Sequence, residues 1–312
     1  MLEYLVILLD DTSISYCHVD NPIHRKNLMP LKTLKEAIVF GMKENLMIQY
    51  VMPSYQLPEE YLKVMEMIDN IKIGADIQIF NSIPTSVECD TIALRIRFQE
   101  FINSISIINS ILPAIKRLNV IYTNIEEYSD EWNSEYASSL SLLEEKVFDI
   151  IKCRSIEVNL LTDRLRLTEM HNCGAGVNNI TVAPNGRFYI CPAFYYDEVC
   201  GIDNKLHYNN PQSDASVGDL TNGLSIPNRH LLSLKYSPLC RECDAYHCNR
   251  CIWLNCKTTW ECNTPSHQQC VMAHIERNAS QHLSMRLKIE GMDAVYIEDI
   301  DYLDPFYNKK RY

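Results

Sequence analysis

Apolar residues along the first half of the chain alternate between two rhythms. Short runs of buried-strand type occur at Glu3–Leu9, Leu46–Met52, Asp76–Phe80, Asn119–Thr123 and Ser155–Leu161. Between them the spacing turns helical. Leu31–Asn45 places Leu31, Leu34, Ile38 and Met42 on one stripe. Pro58-Glu59-Glu60 opens a second helix, with proline first, acids in the first turn, and Leu62, Met65 and Ile68 facing the core. A third carries Phe101, Ile105, Ile108 and Leu112 up to a break at Pro113, and Leu140–Lys152 reads as a fourth. Strand and helix in alternation predict parallel strands with crossover helices. The expected class is α/β, as a partial (β/α) barrel or an open parallel sheet, over residues 1–165.

The rhythm changes in residues 166–312. Asn179–Ile190 reads as two short strands joined by Pro184-Asn185-Gly186. Gly201–Gly223 is a polar surface loop, Pro227–Tyr236 a short helix, and Pro265–Ile289 a longer one with Met272, Ile275, Ala279 and Leu283 at helical spacing. The tail Met292–Tyr312 mixes acids and aromatics and reads as a docked strand or a frayed end.

Ten of the 13 cysteines fall between Cys173 and Cys270. At the centre stands Cys240-x2-Cys243-x4-Cys248-x2-Cys251-x4-Cys256, and thiolates two residues apart let one turn present two sulfurs to a metal. Glu3 and the short run ending at Asp10-Asp11 do not make a signal peptide, and no stretch has the length of a membrane span. A cytoplasmic, reducing location is expected, where dense cysteines are metal ligands more often than disulfides. Composition is that of an ordinary soluble protein, with 46% hydrophobic and 22% charged residues. A net charge of −11 disfavours nucleic acid as a partner.

Cys173-x12-Gly186-x4-Cys191, a long gap, the compact cluster and a trailing Cys270 resemble the SPASM domain, the C-terminal extension of radical-SAM enzymes that mature ribosomally made peptides. The spacing after Cys243 is four and then two, where that domain has five and then three. The resemblance implies two auxiliary 4Fe–4S clusters. Cys173, Cys191, Cys200 and either Cys251 or Cys256 would serve one; Cys240, Cys243, Cys248 and Cys270 would serve the other, with Cys262 spare. Zinc on Cys240, Cys243, Cys248 and Cys251 is the alternative metal.

The first half resembles the barrel half of the same enzymes in element order. Aligned on Cys17, however, the other two positions of a Cys-x3-Cys-x2-Cys loop are Asp10 and Ile14. The second strand runs into Met52-Pro53-Ser54-Tyr55 where a glycine-rich loop would bind S-adenosylmethionine. One thiolate cannot hold a cluster that needs three, so no S-adenosylmethionine chemistry is expected. The Asp10-Asp11-Thr12-Ser13 start and Met42–Leu46, joined to the SPASM-like end, resemble the CXXX-repeat peptide maturases. Members of that family accompany a true radical-SAM enzyme and a cysteine-repeat peptide. The resemblance implies a precursor peptide and a partner radical-SAM enzyme as partners, while the charge and the lack of a span-length stretch lead to the expectation of neither nucleic acid nor membrane.

Asp10, Asp11 and His18 lie at a strand end where α/β sheets place their sites, and read as a capped end with solvated carboxylates. Cys17, Cys89 and Cys153 read as buried, inert thiols. His247 is either a zinc ligand or a solvent-facing loop residue. Three functions follow: an accessory protein of peptide maturation carrying iron–sulfur clusters, a zinc-stabilised binding module, or a stand-alone peptide-modifying enzyme using the Asp10–His18 region.

Overall fold

The computed structural model describes residues 2–74, 77–167, 169–170, 173–200 and 215–292, without the side chains of 198–200. In chain order the elements are β1 (Tyr4–Leu8), α1 (Leu31–Lys43), β2 (Met47–Val51), α2 (Glu59–Met65), β3 (Asn70–Ile73), β4 (Gln78–Phe80), β5 (Thr91–Ile96), α3 (Phe98–Asn103) and α4 (Ile105–Ile111). Then come β6 (Arg117–Tyr122), α5 (Asn133–Ile151), β7 (Glu157–Val158), β8 (Asn179–Val182), β9 (Phe188–Tyr189), α6 (Pro192–Cys200), β10 (Gly218–Asp219), β11 (Gly223–Leu224), α7 (Ile252–Thr259) and α8 (His267–Ile289). The fold is mixed α/β. It divides into two compact units, one of Met1–Ile77, Gly174–Tyr236 and Cys251–Asn263, the other of Gln78–Cys173, Ser237–Arg250 and Thr264–Tyr312.

The first unit is built on a five-stranded sheet in the order β3-β2-β1-β8-β9, parallel except for β9. β1 lies in the middle, and its Leu5–Leu8 are buried on both faces, which is why it reads as an unbroken apolar run. α1 covers the Leu5–Ile48 face at close range. A Cβ added to Gly41 would stand 3.0 Å from Cδ1 of Ile48 and 3.2 Å from Cδ2 of Leu5. The buried stripe of α1 is Leu34, Ala37, Ile38 and Gly41, whereas Met42, expected inside, is 62% exposed. In α2 the core side is Tyr61, Val64 and Met65 rather than Leu62 and Ile68, and Pro58 caps the helix from outside. The β8–β9 hairpin forms as expected, pairing Thr181 with Tyr189, and Gly186 in its turn has φ 76°.

The second unit carries a four-stranded parallel sheet in the order β4-β5-β6-β7. β5 is wholly buried after Thr91, yet the apolar-run reading passes it over because Arg95 interrupts it. α5 packs on α8, whose inward face is unusually polar. Glu144 of α5 accepts from His282 Nδ1 at 2.7 Å and from Arg286 at 2.8 Å. Ser280 Oγ donates to the Leu161 carbonyl at 2.7 Å.

The expected Pro227–Tyr236 helix is two 3-10 turns, and the last nine residues of the expected Gly201–Gly223 loop include strand β10 and the start of β11. Residues 201–214 and 293–312, with the loop and tail readings placed on them, lie outside the described residues. α7, inside the cysteine-rich stretch, has no apolar periodicity to announce it. Among the described residues no helix is long and apolar enough to cross a membrane.

Because Gly41 is the contact point of α1, Gly41→Leu is expected to lower unfolding stability by about 1–3 kcal/mol. Urea denaturation measures this, and an unchanged midpoint would show that α1 is not seated through that glycine.

Candidate functional site

In the first unit the chain runs outward from β1 to β2 to β3, then returns to place β8 on the other side of β1. The carboxyl ends of β1 and β8 therefore flank a topological switch point, where open α/β sheets bind ligands. Asp10 and Asp11 follow β1 directly and are both fully buried. Asp10 accepts from the Thr12 amide at 2.7 Å, the Thr12 hydroxyl at 2.5 Å, the Asn27 amide at 2.8 Å and the Tyr55 hydroxyl at 3.0 Å. Asp11 accepts from Asn27 Nδ2 at 2.8 Å and from Tyr195 of α6 at 2.7 Å. Asn21 Nδ2 bridges the Asp11 and Ser13 carbonyls. The carboxylates are thus capped, as expected, but not solvated. Their lone pairs are taken up by donors from this chain.

Burial and the Asp11 carboxylate hold the Tyr195 hydroxyl well above its ordinary pKa, so it stays a donor at neutral pH. His18 is buried with its ring 5.5 Å from that of Trp253, and Trp253 Nε1 donates to Asp197. Cys17 is half-buried near Tyr196, whose hydroxyl is likewise raised by burial first, then by Cys17, Asp11 and Cys191.

The thiols separate by unit. In the second unit Cys240 and Cys243 are buried, while Cys173, Cys248 and Cys270 are half-buried. Burial, then the neighbouring Cys270, Cys243 and Cys240, push the Cys248 thiol far up. Burial pushes Cys240 up to about 11. The sulfur of Cys243 lies 3.6 Å from His274 Nε2 and accepts from the Ala245 amide at 3.4 Å. In the first unit Cys191 and Cys251 are half-buried, and Cys256 and Cys262 are buried. Cys251 caps α7, its sulfur accepting from the Leu254 amide at 3.4 Å. Cys256 is pushed up to about 12 by burial and then by Cys262. Cys200 ends α6, and its side chain lies outside the described residues.

This arrangement overturns the cofactor expectation. Among the described residues no group of three or more His, Cys, Asp or Glu side chains is placed to hold a metal ion, which argues against both the iron–sulfur and the zinc reading. Two of the sulfurs accept from backbone amides, Cys243 from Ala245 and Cys251 from Leu254, and the Cys262 thiol faces the Leu231 carbonyl. Two further expectations change. Cys153 is exposed, and Cys89 is half-buried with its thiol directed at Gln78 Oε1, 2.8 Å away.

His247 is neither a zinc ligand nor solvent-facing. Its side chain is 2% exposed, and Nε2 meets Glu276 Oε2 at 3.0 Å. Glu276 also accepts from Tyr136, which stands 3.0 Å from the Tyr122 hydroxyl. Burial, then Glu276, raise both tyrosines well above their usual value. Beside this network Asp244 accepts from Arg164 and Arg277 at 3.0 Å each, with Arg164 1% exposed. Burial lowers the Arg164 guanidinium while Asp244 opposes that shift. These two networks pin the Ser237–Arg250 segment to α8 and to the turn at Arg164–Arg166. No motif marks them in sequence.

No protein-family model matches the sequence, and no curated protein matches it. Among solved structures the chain is similar to Streptococcus suis SuiB, in a crystal structure bound to precursor peptide SuiA. Identity is 10%, covering 62% of this chain and 61% of that one, with a TM-score of 0.34. The chain spans about three-fifths of SuiB, and a likeness of this size assigns neither fold nor function.

A thiol whose pKa is raised by folding adds stability that is complete below its unfolded value and is lost as pH climbs through the folded one. From the ordinary 9.0 to about 11 for Cys240 and about 12 for Cys256, stability should fall steadily above pH 9. Thermal melts from pH 8 to 11 test this. Iodoacetamide at pH 8 should modify Cys153 quickly and Cys240 and Cys256 only after unfolding. Equal labelling rates would refute the burial assignment.

Proposed function

We propose that this chain is an accessory protein of peptide maturation, which binds an extended precursor peptide or the enzyme that modifies it. The observation that carries the reading is the closed end of β1. With every donor at Asp10 and Asp11 supplied by Thr12, Asn27, Tyr55 and Tyr195, those carboxylates are committed to holding the fold rather than to acid–base work. Binding is the role left to the rest of the first unit. The cysteine order from Cys173 to Cys270 supports a setting in peptide maturation through its SPASM-like pattern.

An extended peptide binds most simply by adding to a terminal strand, where main-chain groups supply affinity and alternate side chains supply selectivity. In the first unit the β8–β9 hairpin is not such an edge. β8 is paired on both sides, and β9 is covered by the Val217 amide, which donates to the Phe188 carbonyl at 2.7 Å. The other terminal strand is β3, with Ile71 37% exposed and its last residue, Ile73, bridged on to Ile77. β3 is therefore assigned as the peptide edge.

Calorimetry of the full chain with a synthetic Cys-x3 repeat peptide is expected to give a dissociation constant on the order of micromolar. Lys72→Pro should weaken it at least about tenfold: the Ile73 carbonyl accepts from Met52, so strand alternation turns the Lys72 amide to the outer side of β3, where proline removes it. Lys72→Ala, which keeps that backbone amide, should weaken it less. An absence of heat with both the peptide and a radical-SAM partner enzyme at about 50 micromolar sinks the proposal.

A further inference from the structure

In the first unit α7 ends on Trp260, whose backbone is left-handed at φ 65° and ψ 7° while its amide donates to the Cys256 carbonyl at 3.1 Å. This is the helix-ending position that glycine fills at no steric cost and asparagine tolerates, and a bulky residue there is disfavoured. Its side chain is nevertheless 63% exposed. A residue that is costly to the backbone and displayed to solvent points to a role outside the fold.

The surface around it has a defined chemistry. Asn263 Nδ2 donates to the Tyr236 carbonyl at 2.9 Å and the Cys262 thiol faces the Leu231 carbonyl at 3.8 Å, so the stretches 228–236 and 257–263 lie side by side. Tyr236 is 46% exposed, with its ring edge-on to His230 at 5.2 Å and Lys235 Nζ 5.9 Å from its centre. The exposed charges of the two stretches are Lys235 and Lys257 against one acid, Glu261, with the His230 ring exposed beside them. In a chain of net charge −11 this is a local reversal of sign.

We propose that Trp260 and Tyr236 form a docking surface for an acidic peptide segment, with Trp260 as its anchor. Tryptophan and tyrosine dominate binding hot spots because they bury much area with few rotatable bonds, and flanking lysines select an acidic partner. This goes beyond the role assigned to β3 and stands whether or not a Cys-x3 peptide binds there.

The test uses the full chain and a glutamate–tyrosine random copolymer as probe, followed by fluorescence anisotropy, with a lysine–tyrosine copolymer and a single-stranded oligonucleotide alongside. The wild type should bind the acidic copolymer in a salt-sensitive manner and the other two at least about tenfold more weakly. Trp260→Gly should lose about tenfold or more in affinity while its Tm stays level or rises. Trp260→Phe, which keeps a ring, should retain part of the binding. Four outcomes overturn the proposal: no binding by the wild type, equal binding by Trp260→Gly, a lowered Tm in that variant, or oligonucleotide binding as tight as that of the acidic copolymer.

Discussion

A carboxylate with no exposure must find its donors inside the protein, and that requirement organises the first unit. Asp10 and Asp11 follow the central strand of the sheet and share the burial of its Leu5–Leu8. Leaving either without partners would cost several kcal/mol. The donors come from Thr12 and Asn27 in the following loop, Tyr55 beyond β2 and Tyr195 in α6. Satisfying two charges therefore fixes where the loop after β1 lies, how β2 ends and where α6 sits. Hydrogen bonds to a charged group contribute about 1.5–3 kcal/mol each, so losing any one of these donors is costly to this unit.

The second unit meets the same requirement. Asp244 lies between Arg164 and Arg277, and Glu276 between Tyr136 and His247. All six residues are buried or nearly so, and the two acids lie on different segments. Ser237–Arg250 has no regular secondary structure beyond turns, yet it is held at Asp244 and His247 by groups from α8 and the Arg164 turn. Buried ion pairs of this kind add little net stability over apolar packing, but breaking one partner is costly. They specify a position, which is what a turn-rich segment lacks.

The thiols follow from that placement. Once Cys240, Cys243 and Cys248 are enclosed with Cys270, desolvation favours their protonated form. Sulfurs that accept from amides at Ala245 and Leu254 act as local caps. Cys240, Cys243, Cys256 and Cys262 thus contribute as small buried hydrophobes, while the positions of Asp10, Asp11, Asp244 and Glu276 are fixed by carboxylate contacts to hydroxyl, amide, guanidinium and imidazole groups.

The sequence by itself determined what depends on neighbours in the chain. The apolar runs of β1, β2 and β6 and the periodicity of α1, α5 and α8 are local signals, and so is the Pro-Asn-Gly turn between β8 and β9. β3, β5 and α7 were illegible for the converse reason. β3 is only four residues long with two isoleucines, Arg95 interrupts β5, and α7 draws its burial from its surroundings rather than from its own period. Only the tertiary structure decided that Asp10 and Asp11 are sealed, because one donor is Tyr195, 184 residues from Asp11. It likewise decided that His247 is interior, because its partner Glu276 lies on a helix 29 residues later. Spacing showed that thiols could gather, but the direction of each sulfur depends on long-range packing, and a spacing pattern carries no information about direction.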